Sequence, residues 1–271
     1  MKSFIKLLCL SIIISALPAH AYAEINSLSQ AINESGRLRM LSQRMAKAYL
    51  LRAMDIQPGK AQAQFDGSVN KFESNLTDLT EFTADMNNPA IEISLSMINK
   101  EWSAYKSILQ NNLDSEAAQQ ILAYSDRTLA ACEELVKQLE KAAQRQSARW
   151  VNLSGRQRML SQRIAKFYSA ISLEGINAQY DEGLQIAIKE FEEALNQLIA
   201  SPDNTHFVNH KLRKVQTQWN FSKQGFKQLT KGSSTPLVIS MTTETILKQM
   251  NDITALYEEI DSNKKKDLAA S

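Results

Sequence analysis

INESGRLRMLSQRMAKAY, residues 32–49, returns as VNLSGRQRMLSQRIAKFY, residues 151–168, with 13 of 18 positions identical at an offset of 119. Self-similarity at a fixed period marks a duplicated folding unit, and it constrains the organisation more tightly than any single motif. The register continues outward from this core. Phe72, Leu76 and Leu79 match Phe191, Leu195 and Leu198 at the same offset, and Trp102 matches Trp219 at an offset of 117. The sequence therefore divides into a leader at 1–23, a first copy at 24–148 and a second copy at 149–271.

Each copy reads as four amphipathic helices. In the first copy they are expected at about 24–54, 61–83, 90–110 and from Asp114 or Ser115 onward. Loop and cap residues separate them at Gln57-Pro58-Gly59, Asn87-Asn88-Pro89 and Asn111-Asn112. Matching breaks fall at Glu174-Gly175, Ser201-Pro202-Asp203 and 232–236 in the second copy. No segment sustains the alternation of a strand. Short connections between amphipathic helices make neighbours antiparallel, so the expected class is all-α, with two tandem up-down four-helix bundles. Between residues 115 and 173 there is no proline, and Gly155 is the only glycine. That stretch predicts one shared helix about 90 Å long, which would stack the bundles end to end. A bend near 149–154 is the alternative, and it would set them side by side.

Lys2 and Lys6 precede an apolar run from Phe4 to Leu17, Pro18 breaks it, and Ala21-Tyr22-Ala23 supplies a small-x-small site before Glu24. This is the anatomy of a cleavable secretory leader, and the run is too short for a bilayer span. The expected location is the periplasm. Cleavage leaves Cys132 as the single cysteine, so no intramolecular disulfide is expected. It also leaves 29 basic against 29 acidic residues. A chain with no net charge is not a general polyanion binder, so nucleic acid is not an expected partner. His206 and His210 sit at i,i+4 spacing without a convincing third ligand. There is no nucleophile elbow, phosphate loop or haem-attachment motif. Neither an enzyme nor a metal or other cofactor is expected.

The repeated segment carries the candidate chemistry. At 100° per residue, Ile25, Leu28, Ile32, Gly36, Met40, Ala46 and Leu50 form one apolar stripe, while Leu38, Leu41, Met45, Ala48 and Tyr49 form another. A helix with two apolar faces packs in two directions, one into its own bundle and one onto a further helix or chain. Arg39 and Gln43 fall in the first stripe beside Gly36, and Arg158 and Gln162 repeat the arrangement beside Gly155. A guanidinium in an apolar seam is costly unless paired. Glycine three residues away lets a backbone or a small ligand approach, and the guanidinium fork suits planar oxoanions. A carboxylate on a neighbouring helix, such as Glu73 or Glu192, is the alternative partner. Arg37, Arg44, Arg156 and Arg163 lie on a neighbouring edge and are expected at the rim or in salt bridges.

The box Asn-x-x-Gly-x-x-Arg-Met-x-Ser-x-Arg, present as Asn33, Gly36, Arg39, Met40, Ser42 and Arg44 and again as Asn152, Gly155, Arg158, Met159, Ser161 and Arg163, resembles the P-box of the NarX/PilJ family of bacterial sensor domains. The resemblance implies periplasmic four-helix bundles of the kind carried by nitrate/nitrite sensor kinases and type IV pilus chemotaxis transducers. In the nitrate sensors the glycine and first arginine line an anion site between the first helices of two subunits. That role would fall here on Gly36, Arg39, Gly155 and Arg158. The candidate ligand-binding residues are therefore Gly36, Arg39, Gln43, Gly155, Arg158 and Gln162, with Asn33, Arg37, Arg44, Asn152, Arg156 and Arg163 in support. Arg37 and Arg156 depart from the nitrate sensors, which carry a small residue there. Transmembrane helices and signalling domains are not expected in this chain. The functional expectation is a sensor-type protein that binds a small anion of the nitrate or nitrite kind, forms a homodimer and presents its state to a membrane partner. The alternative is a ligand-free interaction protein of the cell envelope.

Overall fold

A computed structural model describes residues 25–110, 115–173, 180–228 and 236–270. The expected leader at 1–23, the turns at 111–112 and 174–175, and 232–235 lie outside those residues. The described residues form α1 (Leu28–Ala53), α2 (Pro58–Thr83), α3 (Pro89–Leu109), α4 (Ser115–Ala143), α5 (Gln146–Ser172), α6 (Asp181–Ile199), α7 (His206–Gln228) and α8 (Pro236–Ala270), with a 3-10 turn at Ala84–Met86 and no strand among them. None of these helices is long and apolar enough to cross a membrane.

Local chemistry sets the boundaries. Ser27 caps α1 by accepting from the Gln30 N–H at 3.2 Å. Asn88 caps α3 by accepting from Ala90 and Ile91. Pro58 and Pro89 occupy first-turn positions, where a missing N–H costs nothing. Gln57 and Asn87 turn the chain in left-handed conformations at φ 46° and 48°.

The copies lie side by side, not end to end. α4 stops at Ala143 and α5 starts at Gln146. Between them Gln144 is left-handed at φ 51°, and Arg145 is extended. A left-handed non-glycine residue costs about 1 kcal/mol, and no glycine or proline advertises the turn. The long shared helix is not formed because the reversal lays α5 parallel to α1 and buries both. In α1, 19 of 26 residues are buried, and in α5, 19 of 27, against 8 of 26 in α2. All-round burial makes α1 and α5 the central pair. α4 and α8 flank them, α2 and α3 cover the first copy, and α6 and α7 cover the second. The second apolar face of the first helix is thus met within the chain.

The hydrophobic core repeats along with the sequence. Phe72 packs on Trp102 with ring centroids 4.4 Å apart, and Phe191 packs on Trp219 at 4.2 Å, both tilted by 30°. Trp102 donates to Glu73 and Trp219 to Glu192. Lys106 and Lys223 complete these pairs at 2.5 and 2.8 Å. Glu73 and Glu192 are therefore engaged on the outer helices and are not the partners of Arg39 and Arg158.

At one end of the central pair, buried Asp261 of α8 ties the starts of both copies together. Arg145 donates to it through Nε at 3.1 Å and Nη2 at 2.7 Å, and Ser29 and Ser147 donate their hydroxyls to it. Burial pushes its carboxyl up, but Arg145 and the two serines more than reverse this and hold it below the usual aspartate range. A depressed carboxylate stabilises the fold fully above its unfolded value near 3.9, and that contribution is lost as pH falls through the folded value. Asp261→Asn should cost about 2–4 kcal/mol at neutral pH. It should also flatten the acid limb of stability below about pH 4. Urea unfolding at several pH values, followed by circular dichroism, checks both.

Candidate functional site

The parallel pairing of α1 and α5 brings the two arginine boxes together. Gly36 and Gly155 face the seam, and both guanidinium groups lie against them. A Cβ built on Gly36 would stand 3.2 Å from Nη2 of Arg39 and 3.4 Å from Nη2 of Arg158. On Gly155 it would stand 3.1 Å from Nη2 of Arg158 and 3.7 Å from Nη2 of Arg39. The two Nη2 atoms are therefore within about 7 Å of each other. A methyl group at Gly36 would press on Arg39, and one at Gly155 on Arg158, each guanidinium having to give by a few tenths of an ångström. Arg39 is 0% exposed and Arg158 is 1% exposed. The meeting of like arginines that was expected across a homodimer occurs inside one chain.

Their partners are reciprocal. Arg39 donates through Nη2 to the side-chain oxygen of Asn152 at 2.8 Å and to its carbonyl at 3.4 Å. Arg158 donates through Nη2 to the Asn33 carbonyl at 3.0 Å. Asn33 in turn donates to Glu258 at 2.7 Å, and Asn152 donates to Glu140. The box serines stay out of the seam by bonding back within their helices, Ser42 to the Arg39 carbonyl at 2.8 Å and Ser161 to the Arg158 carbonyl at 2.7 Å. The remaining contact differs between the copies. Arg39 Nη1 is paired with Glu133 of α4 at 2.6 Å, whereas Arg158 Nη1 meets Asn251 of α8 at 3.2 Å. Among the described residues Arg158 has no carboxylate ion pair. The Nε atoms of both arginines and Oδ1 of Asn33 are buried with no hydrogen-bond partner. Burial, helped by Arg37 and Arg39 and opposed by Glu34 and Glu258, pulls Arg158 down to about 9.

The family model for the N-terminal region of type IV pili methyl-accepting chemotaxis transducers, PilJ, matches residues 21–131 and again residues 141–245. The chain belongs to the PilJ family. No curated protein and no solved structure matches it. Membership makes this a chemotaxis-transducer-related sensor domain in tandem, within a family of sensors, not of catalysts.

Two turns beyond the PilJ arginines, about 12 Å along the same seam, lies a layer that sequence reasoning missed. Lys47 and Lys166 are both 0% exposed. Lys47 of α1 donates to Glu244 of α8 at 2.5 Å and to Gln162 of α5 at 2.8 Å. Lys166 of α5 donates to Asp126 and Ser125 of α4 at 2.7 and 3.0 Å. Each lysine thus takes its carboxylate from the other copy. Gln43 and Gln162 belong to this layer, Gln43 donating to the Ser125 carbonyl at 2.9 Å. Of the edge arginines, Arg37 pairs with Glu34, Arg44 with Glu244, Arg156 with Glu190 and Arg163 with Asp126, all partly exposed. The signal for the lysines was available, because both copies carry lysine eight residues after the buried arginine. Cys132 is buried and free.

Burial pulls Lys47 and Lys166 down to about 8, outweighing Glu244 and Asp126 respectively. Glu244→Gln leaves Lys47 buried without its carboxylate and should cost about 3–5 kcal/mol. The double change Lys47→Met, Glu244→Leu should recover most of that, since a well-packed apolar pair avoids the desolvation penalty. Between about pH 8 and 10 the unfolded chain holds more protons on these lysines than the folded chain does. In that window their contribution to stability should rise with pH. Urea unfolding of the three proteins across that range is the measurement.

Proposed function

We propose that this PilJ-family chain is an exported, periplasmic sensor-type module that binds one small planar monoanion, of the nitrate or nitrite class, between its two arginine boxes and presents its state to a membrane partner. One observation carries the proposal. Two buried guanidinium groups within about 7 Å of each other share a seam lined by two glycines, and among the described residues only one of them is ion-paired with a carboxylate. Two unit charges at that distance repel by about 2–3 kcal/mol at an effective dielectric near 20. A monoanion between them relieves that repulsion. Planar oxoanions match the in-plane donors of a guanidinium. Binding would favour one spacing of α1 and α5 over another, and such a differential affinity is what shifts a conformational equilibrium. Association of two chains is not required to complete the site.

A second reading has its own support. Glu133 already neutralises Arg39 at 2.6 Å, so the chain would hold as a ligand-free interaction protein whose anion is built in. Calorimetric titration of the full chain with nitrate, nitrite and a panel of other small anions separates the two. The sensor reading expects saturable binding at one anion per chain, reduced at least tenfold in Arg158→Gln. Absence of binding throughout the panel, with the variant equally inert, favours the interaction protein.

A further inference from the structure

The two copies correspond closely around the arginines and differ in two contacts: Arg39 reaches the side-chain oxygen as well as the carbonyl of its facing asparagine, and the Nη1 partners are of different charge. Asp126 and Glu244 occupy matching positions at an offset of 118 and play exchanged roles on Lys166 and Lys47. Glu140 and Glu258, at the same offset, accept from Asn152 and Asn33. The same offset carries Glu133 onto Asn251. The first arginine therefore faces a carboxylate where the second faces a neutral amide.

Glu133, unlike the arginine it holds, has access to solvent. Its side chain is 22% exposed, whereas that of Arg39 is fully buried. Its Oε2 holds Arg39, and its Oε1 lies 4.0 Å from Nη1 of Arg156. It lines a groove of about 340 Å³ between α4 and α5, together with Lys137, Arg156, Met159, Arg163 and the Asp126 carboxylate that pairs with Arg163. A buried cation is thus separated from a surface groove with three basic side chains by a single carboxylate. On the outer side of that carboxylate stands Arg156, which also pairs with Glu190 at 3.3 Å. Burial pushes Glu133 up, but Arg39, then Arg156 and Lys137, hold it below the usual range, so it remains an anion at neutral pH.

We infer that Glu133 is a tethered competitor for the anion site: it occupies Arg39 when no ligand is present, and an oxoanion entering through the α4–α5 groove displaces it toward Arg156. This rests on the anion-binding reading above and adds to it the route, the stoichiometry and the residue that sets affinity. Asn251 offers no competing charge, so the Arg158 side stays available and one site forms per chain.

Nitrate is the probe, titrated calorimetrically into the full chain, with thermal melts of each variant as a check on folding. Glu133→Gln removes the competitor and should tighten nitrate binding at least tenfold. Asn251→Asp supplies a second competitor and should weaken it at least tenfold. Arg156→Gln lies on the partly exposed rim, so the fold tolerates it; it removes the displaced carboxylate's resting place and should weaken binding about threefold or more. Nitrate binding in the unaltered chain that is unchanged or lost in a folded Glu133→Gln overturns the competitor role and leaves the anion site standing. Unchanged binding in Arg156→Gln overturns the displacement route. Failure of the unaltered chain and of Glu133→Gln alike to bind nitrate rejects the anion site itself, and the competitor with it. Binding by Glu133→Gln alone supports both.

Discussion

Four cations withdrawn from water in one helix–helix seam impose the constraint on which the rest of the molecule depends. Arg39, Lys47, Arg158 and Lys166 are all essentially unexposed. A buried charge is tolerated only when hydrogen-bonded and paired, and in each case at least one partner comes from the opposite copy: Asn152, Glu244 and Gln162, Asn33, and Asp126 and Ser125. Neither copy can meet that requirement alone. The reciprocal contacts also fix the relative alignment of α1 and α5, because sliding one helix by a turn would separate both arginines from the facing asparagines, and Lys47 from Gln162, at once. Apolar burial supplies the driving force for packing, and the cations specify which packing is reached.

Much of this was legible in the residues. The duplication, the all-helical class, the breaks at Gln57-Pro58-Gly59 and Asn87-Asn88-Pro89, the paired tryptophans and the oddity of an arginine in an apolar stripe could all be read directly. So could the two-faced character of the first helix, which the structure explains by burial on every side. What sequence could not supply was the reversal at Gln144. Turns normally declare themselves through glycine, proline or asparagine, and here a glutamine adopts the left-handed conformation because the tertiary contacts of α5 outweigh the local cost. Helical propensity therefore argued for a continuous rod, and the packing of the second copy against the first prevailed.

The site was half legible for a related reason. Gly36, Arg39, Gly155 and Arg158 lie within the repeated segment, so their pairing was foreshadowed by identity between the copies. Glu133, Asn251 and Asp261 lie on α4 and α8, where the copies have diverged and only the helical register relates them. Residues that break an internal symmetry leave no motif. They emerge once coordinates show which positions correspond, and in this chain they are the ones that distinguish the two arginines from each other.

The short joint at Gln144-Arg145 has a consequence beyond its geometry. Two helices brought together by a covalent tether meet at a local concentration set by the linker, far above any cellular abundance of the protein. Contact between α1 and α5 is accordingly a first-order event, insensitive to dilution. Two separate chains that must find each other lose such a seam when copy number drops; a chain that carries both halves keeps it at one molecule per cell.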